Sequence, residues 1–124
     1  MRQVTRLFLL GEGSSFVVAG LSHFGVLVKG YEHRQAAIAE STIAAVLLIG
    51  CGLTLVLAAQ TRAIGIAVQS FALLGTLVGA FTIAIGVGPC TAPDIIYHIA
   101  IVVVLVGGLL MVVQAPAADM TWQR

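Results

Sequence analysis

The groups in this 124-residue chain whose chemistry has to be placed first are three histidines and five acidic residues. His23, Glu40 and His98 are the leading candidates for a common site, with His33, Asp94, Tyr97 and Cys90 as candidate additional members. Two imidazoles and a carboxylate at one level suit a divalent metal such as zinc, copper or iron. Two opposed histidines would instead ligate a haem iron from both faces. A third chemistry is a quinone or proton site, in which Glu40 carries the proton and a histidine bonds a carbonyl. No HxxxH, ExxH or CxxC spacing joins these residues, so only elements that bring distant segments to one depth can unite them.

Those elements follow from composition. Sixty per cent of the residues are apolar, 9% are charged and the mean hydropathy is +1.10. A soluble domain carries about a quarter charged residues, so the expected solvent is lipid and the expected class is an all-α integral membrane protein. A transmembrane helix needs about 20 mostly apolar residues. Segments of about 36–59, 64–86 and 95–113 meet that test, and 7–28 does so while carrying Glu12, Ser14, Ser15 and His23. The N-terminal segment begins like a signal peptide, but Gly11-Glu12-Gly13 cuts its apolar run and no clear cleavage site follows, so it reads as a retained first helix. The short connections make neighbouring helices antiparallel, giving a single domain over 1–124 as a four-transmembrane-helix up-down bundle. Thr91-Ala92-Pro93-Asp94 reads as a capped start for the fourth helix. Gly86-Val87-Gly88-Pro89 ends the third.

In this topology His23, Glu40 and His98 lie on three helices within roughly 10 Å of the same surface. Glu12, Ser15, Ala19 and His23 share one stripe of the first helix. His33, Ala37, Glu40, Ala44 and Cys51 share one of the second, provided that helix includes His33. Lipid would not solvate these stripes, so both should face inward. The plainer alternative is that Glu40 and a histidine bond each other as structural glue. His33 also fits an ordinary interfacial position. Glu12 is expected to reach the interface or pair with Arg6 or Arg62, and with Glu40 it is a candidate proton carrier. In length, helix count and a glutamate in the first helix, Glu12, the chain is similar to the small multidrug-resistance exporters. That likeness covers these three features alone and implies a proton-coupled transporter acting as an oligomer.

The remaining features bound the partners. A net charge of +1 leaves no basic patch for nucleic acid. Arg2, Arg6, Arg62 and Arg124 fall on one side and Lys29 and Arg34 on the other, which places both termini in the cytoplasm by the positive-inside rule, in the inner (plasma) membrane of a bacterium. Gly75 and Gly79 form a GxxxG motif that would let another helix, in this chain or in a second copy, approach closely. Cys51 and Cys90 are too far apart to bridge. The expected functions are therefore a protein holding a metal, haem or quinone, a small proton-coupled transporter, or a structural subunit of a membrane complex. An enzyme is the least favoured class, because no nucleophile stands at a recognisable spacing from a base.

Overall fold

The computed structural model describes residues 1–116. Asp119 and Arg124, the latter counted in the charge bias, lie outside the described residues. Four helices run in sequence: α1 over Arg2–His23, α2 over Arg34–Val56, α3 over Thr61–Ala84 and α4 over Ala92–Gln114, with one 3-10 turn at Ala58–Gln60 before α3. All four are long and apolar enough to cross a membrane.

The ends differ from the hydropathy reading for local reasons. α1 was expected to run to Val28, but it stops at His23 because the chain reverses at Gly25, whose φ of 74° is left-handed. Glycine adopts that conformation without a Cβ clash. The reversal lets the His33 backbone N–H donate to the His23 carbonyl at 2.8 Å, which ties the end of α1 to the start of α2. His33 is then the N-cap of α2, its Nδ1 accepting from the Ala36 N–H at 3.2 Å, and it does not join the helical stripe. α4 starts at Ala92, three residues ahead of its apolar stretch, on the capping box that Thr91-Ala92-Pro93-Asp94 spells. Thr91 Oγ1 accepts from the Asp94 N–H, Asp94 Oδ2 accepts from the Thr91 N–H at 3.0 Å, and Pro93 occupies the first turn.

Packing pairs opposite ends of successive helices. Arg6 near the start of α1 donates to Thr54 near the end of α2, with Nε 3.2 Å from Oγ1, while His23 at the end of α1 meets Glu40 near the start of α2. Arg62 at the start of α3 donates to the Val113 carbonyl at the end of α4, 2.9 Å away. Arg6 also donates to the Thr54 carbonyl, so both cations sit on carbonyls at helix C-termini, where the helix dipole favours positive charge. Leu9, Phe16, Leu47, Ala72, Ile101 and Leu105 fill the centre.

The GxxxG face is used within the chain. A Cβ at Gly75 would lie 2.9 Å from the Ile43 side chain of α2, and one at Gly79 would lie 3.1 Å from His98 Nε2 of α4.

Candidate functional site

Three elements meet at the end of the molecule that carries the α1–α2 and α3–α4 connections. His23 closes α1, Glu40 lies two turns into α2, and Asp94 sits in the first turn of α4. His23 Nδ1 is 2.7 Å from Glu40 Oε2, and its Nε2 is 3.1 Å from Asp94 Oδ1. All three residues are buried. Asp94 can serve both His23 and its own helix because it has two oxygens: Oδ2 takes the Thr91 hydroxyl at 2.6 Å and the Thr91 N–H, leaving Oδ1 for the imidazole. Tyr31 stacks flat on His23, with ring centroids 5.4 Å apart, and its hydroxyl bonds that of Thr91. Burial, reinforced by the nearby carboxylates of Asp94 and Glu40, holds the Tyr31 phenol above its ordinary pKa despite the opposing bond to Thr91, so it stays protonated.

Each ring nitrogen of His23 faces a carboxyl oxygen. A nitrogen lacking its hydrogen would place a lone pair against another lone pair, so either the imidazole carries both protons or a carboxyl supplies one. The second oxygen of Glu40, Oε1, is buried and has no hydrogen-bond partner among the described residues. Unpaired buried oxygens are uncommon because desolvation penalises them.

Glu40 also lines a cavity of about 160 Å³ between α2 and α3. Its wall includes Ile43, Thr76 and Gly79, the loop from Val87 to Pro89, Phe16 from α1, and His33 and His98. His98 Nδ1 donates to the Asp94 carbonyl at 2.8 Å, one turn back along α4, which leaves Nε2 free on the Gly79 side. Ala39 and Val78, on opposite walls, are both exposed on the outside of the molecule. Gln35 and Val87, which also line it, are exposed as well, so the lining reaches the outside both between α2 and α3 and at the α3–α4 connection.

Of the residues singled out from the sequence, His23, Glu40 and Asp94 are hydrogen-bonded together, and Glu40, His98 and His33 line one cavity. Tyr97 turns away from the triad and bonds Ser15, with hydroxyl oxygens 2.9 Å apart. Cys90 is exposed in the α3–α4 connection. Glu12 does not pair with Arg6 or Arg62, which are both held on helix ends. It is buried against Gln69 of α3, whose amide nitrogen donates to it across the two helices.

Both His23 nitrogens face carboxyl oxygens and His33 Nδ1 accepts from the Ala36 N–H, whereas His98 has Nε2 free. Among the described residues no group of three or more His, Cys, Asp or Glu is arranged to hold a metal ion. A cavity of 150 Å³ accommodates benzene, so about 160 Å³ takes a single ring and not a tetrapyrrole. Compared with protein-family models, curated proteins and solved structures, the chain matches none.

Proposed function

We propose that the chain is an integral membrane protein, an up-down bundle of α1 to α4 with both termini cytoplasmic, that binds a lipid-soluble, one-ring compound of the quinone class at its outer end. Membrane residence is supported by outward residues such as Leu7, Ile49, Leu74 and Ile99, each more than 60% exposed, one on every helix. Water would not tolerate so much contiguous apolar surface. The observation that carries the ligand reading is the unpartnered Glu40 Oε1 of a residue that lines a ring-sized cavity.

Charge neutrality in a low-dielectric setting supplies the chemistry. An imidazolium His23 between two carboxylates leaves one negative charge in excess. A proton on Glu40 Oε1 removes that excess and gives the orphaned atom a hydrogen to donate to a ligand carbonyl. His98 Nε2 accepts from a ligand hydroxyl, so carbonyl and hydroxyl forms of the ring both find partners. An apolar tail would leave between Ala39 and Val78.

Binding of a short-tailed, ring-methylated benzoquinone to protein in lipid nanodiscs, measured by calorimetry, tests this. The background is Cys90→Ser, because quinones alkylate thiols. One ligand per chain is expected, with affinity reduced at least tenfold by Ala39→Phe, which blocks the mouth from an exposed position, and by Glu40→Ala. Binding no stronger than to empty nanodiscs, or binding indifferent to both changes, overturns the reading.

A further inference from the structure

A buried carboxyl exchanges its proton with water only through neighbours that can both take and give one. Glu40 is 5% exposed, and its Oε1 has no hydrogen-bond partner among the described residues, so two ways out remain: the cavity, or the His23 ring bonded to Oε2. A ring compound seated in the cavity fills the first. The second is continuous to the surface. His23 Nδ1 lies 2.7 Å from Glu40 Oε2, its Nε2 lies 3.1 Å from Asp94 Oδ1, and Asp94 Oδ2 accepts the Thr91 hydroxyl at 2.6 Å. Thr91 is exposed, and its hydroxyl also bonds that of Tyr31. From Glu40 to Thr91 every link is of hydrogen-bonding length.

Helix glue alone would need only a donor between two acceptors, and an amide or an ammonium serves there. Imidazole differs, because it takes a proton on one nitrogen while giving one from the other. With a neutral ring and one carboxyl proton, two arrangements satisfy every contact. Either Asp94 holds that proton and Nδ1–H donates to Glu40, or Glu40 holds it and Nε2–H donates to Asp94. Passing between them carries a proton across the ring and leaves no nitrogen unpaired. The groups facing the ring are Glu40 from α2, Asp94 from α4, and Tyr31 and His33 from the α1–α2 connection. Tyr31 stacks on the ring face and His33 stands edge-on, with centroids 6.4 Å away. Among the described residues both carboxyls pair with His23 and neither with a lysine or arginine, so no fixed cation pins the proton at one end.

We propose that His23, Asp94 and Thr91 form the route by which the Glu40 carboxyl exchanges its proton with water at the outer end while a ligand occupies the cavity. This deepens the ligand reading above and rests on it for the filled cavity. Each passage moves one proton and no electron. On uptake, the Thr91 hydroxyl takes a proton from water as it gives its own to Asp94. His23 then takes one from Asp94 on Nε2 as it gives the one on Nδ1 to Glu40 Oε2. Release runs the same steps backwards. Chains of Asp, Glu and His serve this purpose in membrane proteins generally.

Time-resolved infrared spectroscopy after mixing into heavy water tests it, on protein in lipid nanodiscs with the short-tailed benzoquinone present. The Glu40 band is the protonated-carboxyl carbonyl band that Glu40→Gln removes, and its shift reports exchange of that one proton. Asp94→Asn and His23→Gln, on different helices, are each expected to slow the shift at least tenfold. Loosened packing would admit water and speed it, together with amide exchange in α2 read from the same samples, so a folding defect cannot imitate a cut route. A wild-type or faster rate in either variant, or a spectrum with no carboxyl band that Glu40→Gln removes, overturns the proposal. Slowed exchange in both variants without quinone binding leaves the route standing and removes the ligand reading. Quinone binding with exchange indifferent to both changes does the reverse.

Discussion

Asp94 divides its two oxygens between a helix start and an imidazole, and substitutions can separate the two roles. Asparagine retains an oxygen for capping the Thr91 N–H, whereas alanine removes the cap and leaves His23 Nε2 without its partner. Reciprocal capping groups contribute about 1 kcal/mol, and an unsatisfied buried donor costs about 1–3 kcal/mol. Asp94→Ala is therefore expected to destabilise by about 2–4 kcal/mol, and Asp94→Asn by less than half of that, read from denaturant unfolding in detergent. Equal losses would mean that the cap contributes little and that His23 dominates. In the sequence, Asp94 was legible as a cap, because Thr-x-Pro-Asp is a local pattern, and it also appeared among the additional site residues. Its bond to His23 was not legible, since that depends on how α1 and α4 rotate about their axes. The same blindness hid Gln69 as the partner of Glu12: charge suggested an arginine, and the rotation of α3 supplied an amide.

Between helices, small residues and short connections set the geometry that those side chains use. In lipid, helix association depends on close packing more than on a hydrophobic drive, and glycines where neighbours press in mark the contacts. Gly50 of α2 faces Val68 of α3, and Gly65 of α3 faces Thr5 of α1 and Val112 of α4. The periodic small stripe on α3 was readable from sequence, but whether it met a helix of the same chain or of another was not, because periodicity identifies a face and not its occupant. Helix ends were the least legible feature. Apolar Phe24 to Val28 reads like more α1, and only the reversal at Gly25 shows otherwise. That reversal holds the start of α2, and thus Glu40, opposite His23. A non-glycine residue at left-handed φ costs roughly 1–2 kcal/mol, and a Cβ at Gly25 would also displace the Glu32 side chain. Gly25→Ala is expected to lower stability by that amount. It should also speed amide hydrogen exchange at His33, whose N–H crosses the connection to the His23 carbonyl, while exchange in the centre of α3 is unaffected.

For the whole molecule, the orientation in the bilayer decides whether the cavity faces the outer side and Glu12 the inner side. Charge gives a narrow vote: among the described residues Arg2, Arg6 and Arg62 mark one end and Lys29 and Arg34 the other. Two of the three on the first end also have structural work at helix C-termini, so their presence there has a cause besides topology. Acidic residues contribute little to orientation, and Glu32 beside Lys29 does not change the count. The cysteines provide an independent reading. Cys90 is exposed in the α3–α4 connection, at the same end as the cavity, whereas Cys51 is half-buried in α2 with its thiol donating to the Arg6 carbonyl at 3.6 Å. In intact cells, a membrane-impermeant maleimide should label Cys90 and leave Cys51 unreacted, and Cys51→Ala should not reduce the signal. Labelling that appears only after the membrane is permeabilised would invert the bundle. The His23, Glu40 and Asp94 cluster would then face the cytoplasm, and the quinone-class ligand would exchange the side assigned to it, with every contact inside the bundle left as it is.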